Sequence, residues 1–128
     1  MRILTFLLNL PWTILGFVGI MLSLPKAISF QKSHVAIVAH VRSLWWWTWR
    51  DGHKNVRALA WGNTVLIGPK KMEGDIEHEL VHVDQFHRFP LVFPLLYIIE
   101  DWNHGHKDNK YESEAYDKAG NPRLDVPL

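Results

Sequence analysis

An α+β fold is expected for this chain of 128 residues, and three observations predict it. Residues 34–41, 56–61 and 64–67 are short, rich in β-branched side chains and bounded by turn residues, the pattern of strands. Residues 75–89 place Ile76, Leu80 and Val83 at i, i+4 and i+7, the apolar stripe of an amphipathic helix. Residues 109–120 read as a further helix, opened by Asn109 and closed by Gly120 with Pro122 beyond. The length suits one domain with a small core.

The net charge of +1 gives no electrostatic basis for binding nucleic acid, so none is expected as a partner. The absence of Cys excludes a disulfide framework and thiolate metal sites.

Residues 3–24 carry no charge. A run of this length can span a bilayer as a helix, and a membrane helix can tolerate Asn9 and Pro11 inside it. A cleaved signal peptide fits less well, because Leu24-Pro25-Lys26-Ala27-Ile28-Ser29 offers no small-residue cleavage site. A buried soluble or re-entrant helix is the remaining reading. Residues 1–30 are therefore expected to be a single-pass anchor holding the chain in the membrane, and residues 31–128 the functional domain. Lys26, Lys32 and Arg42 follow the run and only Arg2 precedes it, which favours a cytoplasmic catalytic part.

Along the domain, residues 34–41 form the first expected strand, with His34 and His40 at solvent-facing edge positions rather than serving as extra metal ligands. The aromatic stretch 44–49 suits a membrane interface, where Trp concentrates, better than a second strand. Asp51-Gly52 marks a turn. Residues 56–61 and 64–67 flank Gly62-Asn63 and read as a β-hairpin. Residues 91–99 are apolar but too short to span, so a core or interfacial helix is expected with Pro94 near its start.

The helix over 75–89, with Asp75 as its expected N-cap and Pro90 as its stop, carries the chemistry. It contains His78-Glu79-x-x-His82. Residues four apart share a helix face, so both imidazoles can reach one metal ion, with zinc (Zn2+) the expected one. Glu79 follows the first His and so lies beside the ion, where it can take a proton from water that the metal activates. This is the arrangement of a hydrolase that works through an activated water. The spacing departs from the metzincin pattern, because Gln85 and Arg88 stand where that pattern has Gly and His.

A third ligand must come from elsewhere. In the helix over 109–120, Glu114 is placed to pair with Lys118 at i+4. Glu112 shares its face with Ala115 and Ala119, whose small side chains allow close approach to the His-bearing helix. Glu112 is the expected ligand and Glu114 the alternative. In the loop between, His104 and His106 are read as solvated. Either of them, or Tyr97 or Tyr111, could stabilise a developing oxyanion.

His78-Glu79-x-x-His82 followed about thirty residues later by Glu112-x-x-Ala115 resembles the gluzincin branch of the zincin metallopeptidases. The Glu-x-x-Ala spacing is similar to that of the membrane-bound gluzincins, the heat-shock and CAAX-type proteases. Those proteins usually carry Asp four residues after the ligand Glu; here Tyr116 stands there and Asp117 is next. The resemblance covers roughly residues 55–120. It implies a zincin-like fold, a zinc-dependent peptidase, a peptide or protein substrate, and an edge strand that holds the substrate backbone. The rival reading is a membrane-associated metal-binding protein without chemistry. Glu79 separates the two, since a purely structural site has no use for it.

Overall fold

The structure is a computed structural model that describes residues 2–44, 57–105 and 108–121. Among them the order is α1 (Arg2–Leu8), α2 (Leu10–Leu22), β1 (Pro25–Gln31), β2 (Ala36–Val41), β3 (Ala58–Trp61), β4 (Thr64–Ile67), α3 (Asp75–Arg88), α4 (Phe93–His104) and α5 (Lys110–Ala119). The fold is α+β. Among the described residues four strands form one mixed sheet in the order β1-β2-β4-β3. β1 and β2 are antiparallel, as are β3 and β4, while β2 runs parallel to β4 with Val38 beside Val65.

Helices cover both faces of the sheet. On one side Ile20 of α2 packs with Ala39, Val41, Leu44, Leu59 and Leu66. On the other, Leu80 and Val83 of α3 pack with Ala36, Val38, Val65 and Ile67. A third cluster joins Phe86, Phe93 and Tyr111, and so ties the end of α3 to α4 and α5. The α3 stripe expected from Ile76, Leu80 and Val83 is therefore the face that seats α3 on the sheet. The opposite face is left for α5.

The single-pass anchor expected over residues 3–24 is corrected by the structure. Among the described residues no helix is long and apolar enough to cross a membrane. The run is interrupted at Asn9, with Pro11 in the first turn of α2; the Pro ring lacks an N–H and crowds the preceding turn. The 13 residues of α2 are about 20 Å long against the roughly 30 Å of a hydrocarbon core. Asn9 is fully buried and is a fastening point: its amide donates to Phe86 O (2.8 Å) and its Oδ1 accepts from Leu91 N (2.8 Å). The uncharged run hid a packing face made of Asn9, Thr13, Gly16, Gly19 and Ser23 at helical spacing.

Gly16 shows how close that packing is. A Cβ there would lie 1.8 Å from Thr64 Oγ1 and 2.9 Å from Thr64 Cβ. Thr64 cannot give way, since it is wholly buried and donates to Trp61 O (2.7 Å). Gly16→Val is accordingly expected to lower unfolding stability by about 3 kcal/mol or more, measured by denaturant titration. A stability equal to wild type would contradict this seating of α2.

Other elements differ in detail from expectation. β1 was not foreseen, although Ala27-Ile28-Ser29-Phe30 alternates in the manner of a strand. β2 starts at Ala36 because residues 32–35 turn, with Val35 at φ +53°. The hairpin is present as β3 and β4 around Gly62 (φ +59°). The apolar run after Pro90 becomes α4, longer than expected, with Pro94 in its first turn. The aromatic stretch 45–49 and His106 lie outside the described residues.

Candidate metal centre

α3 begins at Gly74, whose left-handed φ of +86° also permits close approach to α5. A Cβ on Gly74 would stand 2.9 Å from Asn121 Cβ and 3.1 Å from Ala119 O. Gly74, rather than Asp75, is thus the N-cap. Asp75 sits in the first turn, where a negative charge suits the helix dipole. Its carboxylate accepts from Met72 N (2.8 Å), pairs with Arg57 Nε (3.0 Å) and accepts from Asn121 Nδ2 (2.7 Å).

His78, Glu79 and His82 are all buried and offer ligand atoms within 4.8 Å of one another. Asn109 caps α5, its Oδ1 accepting from Tyr111 N (2.9 Å) and Glu112 N (3.4 Å). Ala115 is fully buried, which lets α5 lie close against α3. This places Glu112 Oε1 at 3.0 Å from His78 Nε2 and 3.2 Å from His82 Nε2, and the two Nε2 atoms 3.2 Å apart. Glu114 faces elsewhere, toward Gln85, Arg88 and Lys118.

The amides behind the two rings settle which nitrogen carries the proton. Gln85 uses its Nε2 to donate to Tyr111 O (3.0 Å) and Glu114 (2.6 Å), so its Oε1 must accept from His82 Nδ1 (2.8 Å). Asn121 uses its Nδ2 on Asp75, so its Oδ1 accepts from His78 Nδ1 (3.1 Å). Each Nδ1 therefore carries hydrogen. In the neutral rings both Nε2 atoms then hold lone pairs. Three acceptors converge on one point with no donor among them.

Such an arrangement needs a cation at its centre. Four ligands held tetrahedrally at about 2.0–2.1 Å from zinc stand about 3.3–3.4 Å from one another, close to the spacing seen. Without a metal the cation is a proton. Burial opposes charge on His82, but Glu112, Glu79 and the bond to Gln85 outweigh it and raise its pKa to about 9. Burial likewise opposes ionisation of Glu112, yet His82 and His78 hold its carboxyl well below the ordinary range. Burial pushes Glu79 up, with Glu112 and Asp75 adding to it and His82 and His78 opposing.

Aromatic side chains close the surroundings. Tyr116 stands edge-on to His78 with ring centroids 4.4 Å apart. Tyr97 donates its hydroxyl to Glu112 Oε2, which holds the carboxylate from the side away from the histidines. Of the oxyanion candidates, Tyr97 is thus at the site. Tyr111 is buried in the cluster with Phe86 and Phe93, and His104 is exposed at the end of α4. His34 and His40 do not join the site; His34 pairs with Asp84 (3.0 Å).

Gln85 and Asn121 were not foreseen. Gln85 was legible, since it lies three residues after His82 and seven after His78 on one face. Asn121 was not, because only the meeting of the end of α5 with the start of α3 brings it to His78.

Glu114 gives a test on pH. Partial burial works against its ionisation, but bonds from Gln85, Arg88 and Lys118 prevail and lower its pKa to about 2. A lowered carboxyl pKa stabilises the fold fully above about pH 4.5, and that contribution disappears as pH falls toward 2. Wild type should exceed Glu114→Gln by at most about 1 kcal/mol near pH 6, because water screens a partly exposed pair. The gap in urea midpoint should close by about pH 2. A gap constant across that window would contradict the assignment.

The chain matches no protein-family model, no curated protein and no solved structure.

Proposed function

We propose that the chain is a zinc-dependent metallopeptidase of gluzincin type with a zincin-like fold. His78, His82 and Glu112 hold the ion, and Glu79 acts as general base. The observation that carries this reading is the convergence of three acceptor atoms, one on Glu112 and one on each of two buried histidines whose tautomers are fixed from behind by Gln85 and Asn121. The donor set, two neutral imidazole nitrogens and one carboxylate oxygen, is that of a catalytic zinc with an open position. When bound, the ion lowers the pKa of a water and polarises the carbonyl under attack.

The chain's own groups do the rest. Glu79 lies beside the histidines, where it can reach a water at the site, and burial raises its pKa, which strengthens it as a proton acceptor. It accepts the proton of the attacking water and delivers it to the leaving amine. Tyr97 and Asn109 keep Glu112 in place, one by its hydroxyl and the other by capping the helix that carries it. Among the described residues β3 lies at the edge of the sheet and packs against α3, so its outer side can pair with an extended peptide.

Incubation of the zinc-loaded chain with a peptide library tests the reading. Cleavage is expected, and removal of the metal with a chelator should abolish it. Retention of zinc with no cleavage of any peptide would favour the non-catalytic metal-binding alternative.

A further inference from the structure

We propose that the outward face of α1, α2, β1 and α4 is a docking surface for a bilayer bearing anionic lipids, on which the chain lies with no helix crossing it. α2 is built inside out. Apart from Ile20, its buried positions are polar or small, from Asn9 and Thr13 through Gly16 and Gly19 to Ser23. Its outward positions are Ile14, Leu15, Val18, Met21 and Leu22, all exposed and Met21 at 72%. A helix that packs through small residues and turns its large apolar side chains outward loses free energy in water and gains it against acyl chains.

The other elements extend this face. Ile28 and Phe30 of β1 are exposed and pair with Ala39 and Ile37 of β2. Antiparallel partners project to one side, and Ala39 belongs to the cluster under α2, so Ile28 and Phe30 lie on the α2 side of the sheet. Leu91 is held to α2 by Asn9 and by Trp12, whose Nε1 donates to Leu91 O (2.8 Å). That contact brings the start of α4 beside α2. From there the exposed residues Val92, Leu95, Ile98, Ile99 and Trp102 follow helical spacing. Large apolar patches exposed on a folded chain mark sites of interaction with a partner or a membrane.

Charge selects the partner. Residues 1–50 contain Arg2, Lys26, Lys32, Arg42 and Arg50, and the first acidic residue is Asp51. Lys26 and Lys32 are exposed and bracket Ile28 and Phe30, and Arg42 is exposed too. A symmetric pairing of two copies would bring this basic stretch toward itself, because a two-fold interface uses the same patch twice. Anionic headgroups complement it, while the apolar side chains enter the boundary of headgroup and acyl chain.

The experiment is co-sedimentation of the full chain with vesicles of phosphatidylcholine alone and of phosphatidylcholine with phosphatidylserine. Binding to the anionic vesicles is expected, weakening as salt is raised. Lys26→Gln and Lys32→Gln should each weaken it about fivefold. Val18→Glu with Met21→Glu should abolish it while circular dichroism and zinc content stay unchanged, since both positions face outward. Absence of binding to anionic vesicles overturns the proposal. So does a stable dimer that Val18→Glu with Met21→Glu dissociates and that ignores vesicles; it would assign the face to a second copy.

Discussion

Glu79→Gln is expected to lower peptide hydrolysis by about 10²–10⁴-fold while the chain keeps its fold and its metal. Gln has nearly the shape of Glu, so the buried position stays filled, and Glu112 is the nearer carboxylate to both histidines. What is lost is the ability to take a proton from water and return it to the amine. Burial raises the pKa of Glu79, so an uncharged amide at this position is no burden on folding. The loss should therefore fall on turnover, with metal affinity nearly constant. Comparable turnover in wild type and Glu79→Gln would exclude the proposed mechanism.

Glu112→Ala should have the largest effect on metal affinity. Its Oε1 is one of the three converging atoms, and its removal leaves two imidazoles facing a small cavity. The affinity for zinc should fall by more than the roughly 10–100-fold that follows loss of a partner behind a ligand. Gln85→Ala and Asn121→Ala remove such partners, from His82 and His78 respectively, and should show that smaller loss. Glu114→Gln touches the site only through Gln85 and should change affinity least. The order of the four variants, measured by competition with a chromophoric chelator, checks the assignment. A larger loss in Glu114→Gln than in Glu112→Ala would reverse it.

How much was legible in the sequence follows from whether the determining contacts are local. The pairing of His78 with His82 is a property of one helix, and the placement of α5 follows from Asn109, Ala115 and Gly120, each within that helix or at its end. The β3–β4 hairpin was legible for the same reason, since its turn is two residues long. The N-terminal run was not. An uncharged stretch has the same composition whether lipid or a sheet receives it, and only the spacing of Asn9, Thr13, Gly16 and Gly19 distinguishes the two. β1 was missed although its partner, β2, follows directly after the turn at residues 32–35, because its own exposure removes the usual apolar signal. The bond from His78 to Asn121 spans 43 residues and rests on Gly74 letting two helix ends meet. No local pattern announces that.

The central claim is that three converging acceptors on α3 and α5 hold one metal ion. Metal content of the purified chain, measured beside His78→Ala after identical handling, tests it most directly. About one equivalent of zinc in wild type, lost in His78→Ala, is the predicted result. No zinc in wild type after loading, or an unchanged content in His78→Ala, would contradict it.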